Sequence, residues 1–221
     1  MNENIKNSIF RQHTPEVVTV GDSVVVAEES SEAFSWADNG IAVVLGVHSK
    51  ATAKGNYGTA IATGFCGLSI ADAIGGKAIS SAQDGDSCAN GEYGVAISNG
   101  DYGSSFANGP SGNAMSTGEY GKAYANGFGG KATATGMYGI ATADGEFGEA
   151  YASGYCGKAS SGKGGHSIST GTLGCVKAGV GGSITATYKK DNARIAMTAN
   201  VGDGILPDVW YRLEQGKFVQ A

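Results

Sequence analysis

GEYGVAISN (91–99), GDYGSSFAN (100–108), GPSGNAMST (109–117), GEYGKAYAN (118–126), GFGGKATAT (127–135) and GMYGIATAD (136–144) are six consecutive forms of one nine-residue phrase. The same phrase runs from Gly55 to Thr187 in fifteen turns. Gly holds the fourth slot in all fifteen and the first slot in thirteen. Two turns, 154–161 and 171–178, are one residue short. A fixed short period of this kind marks a solenoid.

Slots five to nine alternate, so slots six and eight face one way and slots five, seven and nine the other. Slot five carries Lys77, Asp86, Lys122, Lys131, Glu149 and Lys158, which places slots five, seven and nine in solvent. Slots six and eight, Ala or Ser nearly throughout, then face inward. Nine residues with one five-residue strand cannot enclose a core. Two turns make a full coil of about 18 residues with one strand on each side. The fold class expected is all-β: a flat parallel β-solenoid of nonapeptide half-coils with capping β-hairpins. Slots nine and one supply corner dipeptides such as Asn90-Gly91, Asn108-Gly109 and Asn126-Gly127, which tolerate positive φ in tight turns. The slot-four glycines Gly58, Gly67, Gly76, Gly94, Gly103, Gly121, Gly139 and Gly148 mark a second corner position closed to a Cβ.

Three other repeats share parts of the pattern. The calcium-binding β-roll needs an Asp ligand on each turn; the matching slot here is Ala, which argues against calcium. An ice-binding solenoid shows a sustained outward Thr-x-Thr rank, and here Thr133/Thr135 stands alone. The trimeric-adhesin head has a longer repeat. ATATGMYG, AYANGFGG and AYASGYCG are similar to the Ala-Ser-Ala-Thr-Gly-x-x-Gly nonapeptide arrays encoded in phages, prophages and some gut bacteria. The ending GDGILPDVWYRLEQGKFVQ resembles the Gly-Ile-x-Pro-Asp-x-Trp-Tyr segment that caps those arrays. The likeness spans roughly residues 46 to 221. It implies the fold and a mobile-element origin, and no settled activity.

The period traces backwards through 46–54, 37–45 and 28–36, which starts the solenoid near residue 28 and gives about nine coils. At ~4.8 Å per coil the rod is roughly 40 Å long. Four parts are expected: a flexible tail (1–14), cap strands (15–27), the solenoid (28–187) and a C-terminal hairpin cap (188–221). VVTVGDSVVVA (17–27) reads as two strands broken at Gly21-Asp22. Val24, Val26, Phe34 and Trp36 are expected to close the N-terminal end, where bare strand edges would invite stacking. At the other end Lys189 to Asn192 and Gln215-Gly216 read as hairpin turns, and Trp210, Tyr211 and Phe218 supply the cap.

The chain has 221 residues with 38 Gly and 3 Pro, against ~7% Gly in ordinary globular proteins. The net charge of −5 argues against a basic nucleic-acid-binding face. No apolar run approaches ~20 residues, and the first residues, MNENIKNSIFRQHTPE, lack an apolar signal core. The expected compartment is the cytoplasm, the host's if the chain is phage-encoded. Cys66, Cys88, Cys156 and Cys175 fit reduced structural thiols. His13, His48 and His166 are scattered, so no Ser-His-Asp set or metal site assembles from spacing. The Gly-x-x-Gly phrases lack the strand-to-helix context of a phosphate loop. No catalytic residue, metal or cofactor is expected.

The outer surface carries the information. Tyr102, Tyr120 and Tyr138 stack along one edge at slot three, with Tyr57, Tyr93 and Phe147 on the other. Slot seven gives files containing Met115 and Tyr151 on one face and Phe106 and Tyr124 on the other. Such files stabilise neighbouring coils or mark an interface. The expectation is a non-enzymatic binding protein that engages a protein partner of unknown identity, as in interference with a host defence or regulatory factor, or that forms a homodimer or trimer. The alternatives are a virion or surface adhesin that binds glycans, and a nucleotide-type ligand binder at a protomer interface.

Overall fold

A computed structural model describes residues 17–19, 23–26 and 29–221. The described chain is a two-sheet β-solenoid without helix. Sheet one stacks Val17–Thr19, Glu32–Ser35, Lys50–Ala53, Leu68–Ala71, Asp86–Ala89, Ser104–Ala107, Lys122–Ala125, Ile140–Ala143, Lys158–Ser161 and Cys175–Ala178 in parallel, then Tyr211–Glu214 and Lys217–Gln220 antiparallel. Sheet two stacks Ser23–Val26, Ile41–Val44, Thr59–Ala62, Lys77–Ser80, Val95–Ser98, Asn113–Ser116, Lys131–Ala134, Glu149–Ala152, His166–Ser169 and Ser183–Lys190, with Ala193–Asn200 as an antiparallel last strand. The repeat strands hold slots five to eight, one residue shorter than the five-residue strand expected, because slot nine already turns the corner.

Register follows the period. Ile97 lies beside Met115 and Phe106 beside Tyr124, each pair 18 residues apart. Past the short turns the offset falls to 17, as in Glu149 beside His166 and Lys158 beside Cys175. Each short turn has lost slot nine, and Gly162 and Gly179 serve both slots nine and one. Every slot-six and slot-eight Ala or Ser of strands 41–178 is buried. Among the described residues the bore takes larger side chains at Val44, Val176 and Ile184.

The corners have a different cause from the one the dipeptides suggest. Slot four donates its N–H to the slot-one carbonyl, as in Gly94 to Gly91 at 3.1 Å. Positive φ falls on slot three: Tyr93 at 57°, Tyr102 at 60° and Tyr120 at 57°. That is the third position of a type II turn. Slots one and four need glycine for space instead. A Cβ on Gly100 would lie 1.8 Å from the carbonyl oxygen of Ala82, one coil below. A Cβ on Gly94 would lie 2.9 Å from both the Ala89 Cβ and the Gly91 oxygen.

The parallel ladder also runs further back than residue 28. Val17–Thr19 pairs with Glu32–Phe34 and Ser23–Val26 with Ile41–Val44, all parallel, so these strands extend the stack. The tail at 1–14 lies outside the described residues, as do the side chains of Val24 and Val26. Trp36 is no plug: it is 60% exposed, on the outer face with the Lys54 ammonium 4.6 Å from its ring centroid. At the C-terminal end Tyr211 and Leu213 close the bore. Tyr211 pairs with Val176, and its hydroxyl accepts the Leu206 N–H at 3.0 Å. Phe218 packs against the same cluster. Trp210 lies on the flank, between Lys158 and Lys177, whose ammonium groups are 5.8 and 5.3 Å from its ring centroid.

Candidate interaction surface

The tyrosine edge is built by the corner backbone. With slot three left-handed, its N–H points along the rod and donates to the slot-two carbonyl one coil on: Tyr102 to Glu119 and Tyr120 to Met137, both at 2.8 Å. These bonds hold a conformation that a bulky L-residue adopts at a cost of about 1–3 kcal/mol. Since each coil repeats the same backbone, each ring leaves at the same angle. Tyr102 and Tyr120 stack with centroids 5.1 Å apart and planes 2° apart; Tyr120 and Tyr138 stack at 4.9 Å and 8°. Tyr155, from slot two, ends the row edge-on at 6.0 Å from Tyr138. The stack partly desolvates Tyr120, and with Glu119 and the neighbouring phenols beside it this raises its pKa above the ordinary tyrosine value. Cys156, followed by loss of solvent and Tyr138, does the same to Tyr155.

The opposite edge looks similar in sequence and differs in structure. There Tyr57, Tyr93 and Phe147 are interrupted by Gly75, Ser111, Gly129 and Gly164. Tyr57 tips over Gly75, where a Cβ would meet its ring at 2.5 Å, and Phe147 covers Gly164 in the same way at 2.8 Å. Phe128 meets Phe147 edge-on at 5.5 Å. This edge carries separate rings, not a stack.

The slot-seven files are flatter than the sequence suggests. Phe106 and Tyr124 stack at 5.0 Å, and Tyr151 hydrogen-bonds Thr170 at 3.1 Å. Neighbours one coil away cover one another, so most slot-seven side chains are half-buried, with Met115 the exception at 42% exposed. Thr52 and Ser160 are fully covered.

Two features escaped the reading by slots. Slot nine of sheet one is an amide ladder: Asn90 donates to Asp72 at 2.7 Å, Asn108 to Asn90 at 2.8 Å and Asn126 to Asn108 at 2.8 Å. The recurrence of Asn at intervals of 18 was the available signal. His166 also gains partners that spacing did not show: Nδ1 meets the Ser183 hydroxyl, and Nε2 lies 3.2 Å from Thr185 Oγ1, itself 2.8 Å from Thr198 Oγ1. Both ring nitrogens are thus occupied by hydroxyls, and among the described residues no carboxylate is hydrogen-bonded to the ring.

The four cysteines are free thiols. Burial raises the pKa of Cys88, helped by Asp72, and burial likewise raises that of Cys175. Among the described residues no group of three or more His, Cys, Asp or Glu side chains converges as a metal site. Among the same residues no helix is long and apolar enough to cross a membrane. A cleft of about 130 Å³ sits at the C-terminal end, lined by residues that include Thr172, Thr187, Lys189, Arg194, Arg212 and Glu214. Arg194 and Thr187 both donate to the Thr170 carbonyl, and Arg212 pairs with Glu214. Comparison with known proteins gives no matching family model, no matching curated protein and no matching solved structure.

Proposed function

We propose that this chain is a non-enzymatic binding protein that acts through protein–protein contact, with the Tyr102–Tyr120–Tyr138 edge as its contact for a partner. The observation that carries this reading is the stack itself. Three tyrosines that are 53%, 40% and 39% exposed are held in fixed orientation on a hydrogen-bonded corner. Tyrosine is favoured at protein interfaces because it offers a large amphipathic surface. Here the stack has already fixed the rings, so binding loses little side-chain entropy. The stack also covers both ring faces of Tyr120 and one face each of Tyr102 and Tyr138, with Tyr155 edge-on beyond Tyr138. A sugar needs an open ring face, so a glycan-binding role fits this edge less well. The resemblance to phage and prophage arrays supports a mobile-element origin and a target in the host cytoplasm, such as a defence or regulatory factor.

The test is capture of a stoichiometric protein from bacterial host lysate on the immobilised chain, set against Tyr102→Ala/Tyr120→Ala. The expected outcome is one partner held by the wild type and lost by the double variant, whose rod remains folded by circular dichroism. A partner retained at full strength by that variant would remove the tyrosine edge from the mechanism.

A further inference from the structure

The two flat faces differ in charge. Sheet one carries charges along its length, from Glu32 and Lys50 through Asp72, Asp86, Lys122 and Lys158. On the outward slots of sheet two, from Ile41 to Thr187, the formal charges are Lys77, Lys131 and Glu149. The rest of that stretch is aliphatic, hydroxyl or amide apart from the His166 imidazole, with Ile61, Ile79, Ile97 and Met115 as its central file; past Thr187 the last two strands add Lys189 and Arg194. Charge depletion of this kind is characteristic of interface cores.

We propose that sheet two pairs face to face with sheet two of a second copy, the rods antiparallel. The two-fold axis would run along strand Asn113–Ser116. That strand is sixth of the eleven in the sheet, so an axis there overlaps the two faces completely. The rotation keeps strand direction and sets slot five against slot five. Strand Lys77–Ser80 is fourth in the stack and Glu149–Ala152 eighth, so Lys77 of each copy faces Glu149 of the other, whose carboxylate already pairs with Lys131 of its own chain at 2.9 Å and would then lie between two ammonium groups. Met115, 42% exposed, faces its own copy on the axis. The alternative two-fold, parallel to the rod, sets slot five against slot nine of the same coil. It leaves Lys77, Lys131 and Glu149 against Ser81, Thr135 and Ser153, with no opposite charge across the interface. Ten gaps of ~4.8 Å by four residues of ~3.3 Å give a flat footprint of roughly 600 Å² per partner. Side-chain relief and the corners bring this near the ~800 Å² per partner of a standard stable interface. This pairing leaves the tyrosine corner open and stands independently of the partner-binding reading.

The test is a charge swap read by sedimentation equilibrium on the full chain. The wild type should be a dimer. Lys77→Glu and Glu149→Lys should each weaken it at least tenfold by setting like charges face to face, and Lys77→Glu/Glu149→Lys should restore it. Met115→Arg, at an exposed position, should give a folded monomer by placing two guanidinium groups together on the axis. Circular dichroism and melting on each variant separate lost pairing from lost folding. A wild type that is monomeric or trimeric overturns the proposal. So does a double variant no tighter than the single ones, or a Met115→Arg chain that still dimerises.

Discussion

Ser87 and Ser98 are both fully buried, and loss of the hydroxyl should act on them in opposite directions. Ser98 Oγ donates to the Gly85 carbonyl at 2.8 Å, closing a corner against the strand. Ser87 Oγ is buried with no partner. An unsatisfied buried hydroxyl costs about 1–3 kcal/mol, whereas a made hydrogen bond contributes about 1 kcal/mol. Ser87→Ala should therefore raise stability by about 1 kcal/mol and Ser98→Ala lower it by a similar amount. Paired urea melts check both, and a shift of the same sign in the two variants contradicts the assignment. Residue type alone made the bore legible, since Ala and Ser at alternate positions leave no other inward set. It did not separate these two serines, because the difference is one of reach: slot-eight Ser80, Ser98 and Ser116 meet the slot-four carbonyl of the preceding half-coil, and slot-six Ser87 does not. It also misplaced positive φ. Asn-Gly is the common pair for such turns, but here its glycine is required by a carbonyl pressed from the coil below. The left-handed residue is an aromatic two positions later, held by bonds along the rod that no dipeptide encodes.

At the scale of the strand and its corner, the slot-nine amides act as one element. Asn108 donates to Asn90 and, at 3.6 Å, to Cys88 Sγ, and accepts from Asn126, so Asn108→Ala removes two amide bonds and a weak one to sulfur and should cost about 1–3 kcal/mol. Asn108→Asp keeps the acceptor for Asn126, loses the donor to Asn90 and sets a carboxylate against that amide oxygen. It should be the worse of the two at neutral pH and approach Asn108→Ala as acid protonates the new group. Thermal melts at two pH values test this; equal melting of both variants at neutral pH would show that the ladder contributes no directed bonding. The strands were legible element by element because alternation and period agree. The ladders were legible only as columns 18 residues apart. The three tyrosines at 102, 120 and 138 form such a column without interruption, and they stack. On the other edge glycines at 75, 129 and 164 break the column, and its rings lie separately. The tyrosine column could therefore be named from sequence, while its degree of stacking and exposure depended on coil-to-coil contact.

At the scale of the whole rod, stability is a sum over coils plus the state of the two ends. Each repeat buries small methyl groups and a row of backbone hydrogen bonds, and no coil has a bulky core of its own. The large buried side chains gather at the C-terminal end, where Tyr211, Leu213 and Ile205 close on Val176 and Ile184. The apolar weight of the last segment made this closure legible in the sequence. The flank position of Trp210 was not, because Lys158 and Lys177, which flank it, lie on strands of the last coils. A chain ending at Asn200 loses strands Tyr211–Glu214 and Lys217–Gln220, uncovers Val176 and leaves the edge of Cys175–Ala178 unpaired. Burial of Tyr211 and Leu213 contributes about 1.5–3 kcal/mol each, so the shortened chain should melt lower. The bare edge is also a template for another strand. The shortened chain should therefore form end-to-end rods whose length grows with concentration, seen as rising light scattering and as fibres under the electron microscope. A shortened chain that keeps the wild-type mass at every concentration would show that the last two strands do not guard the end of the stack.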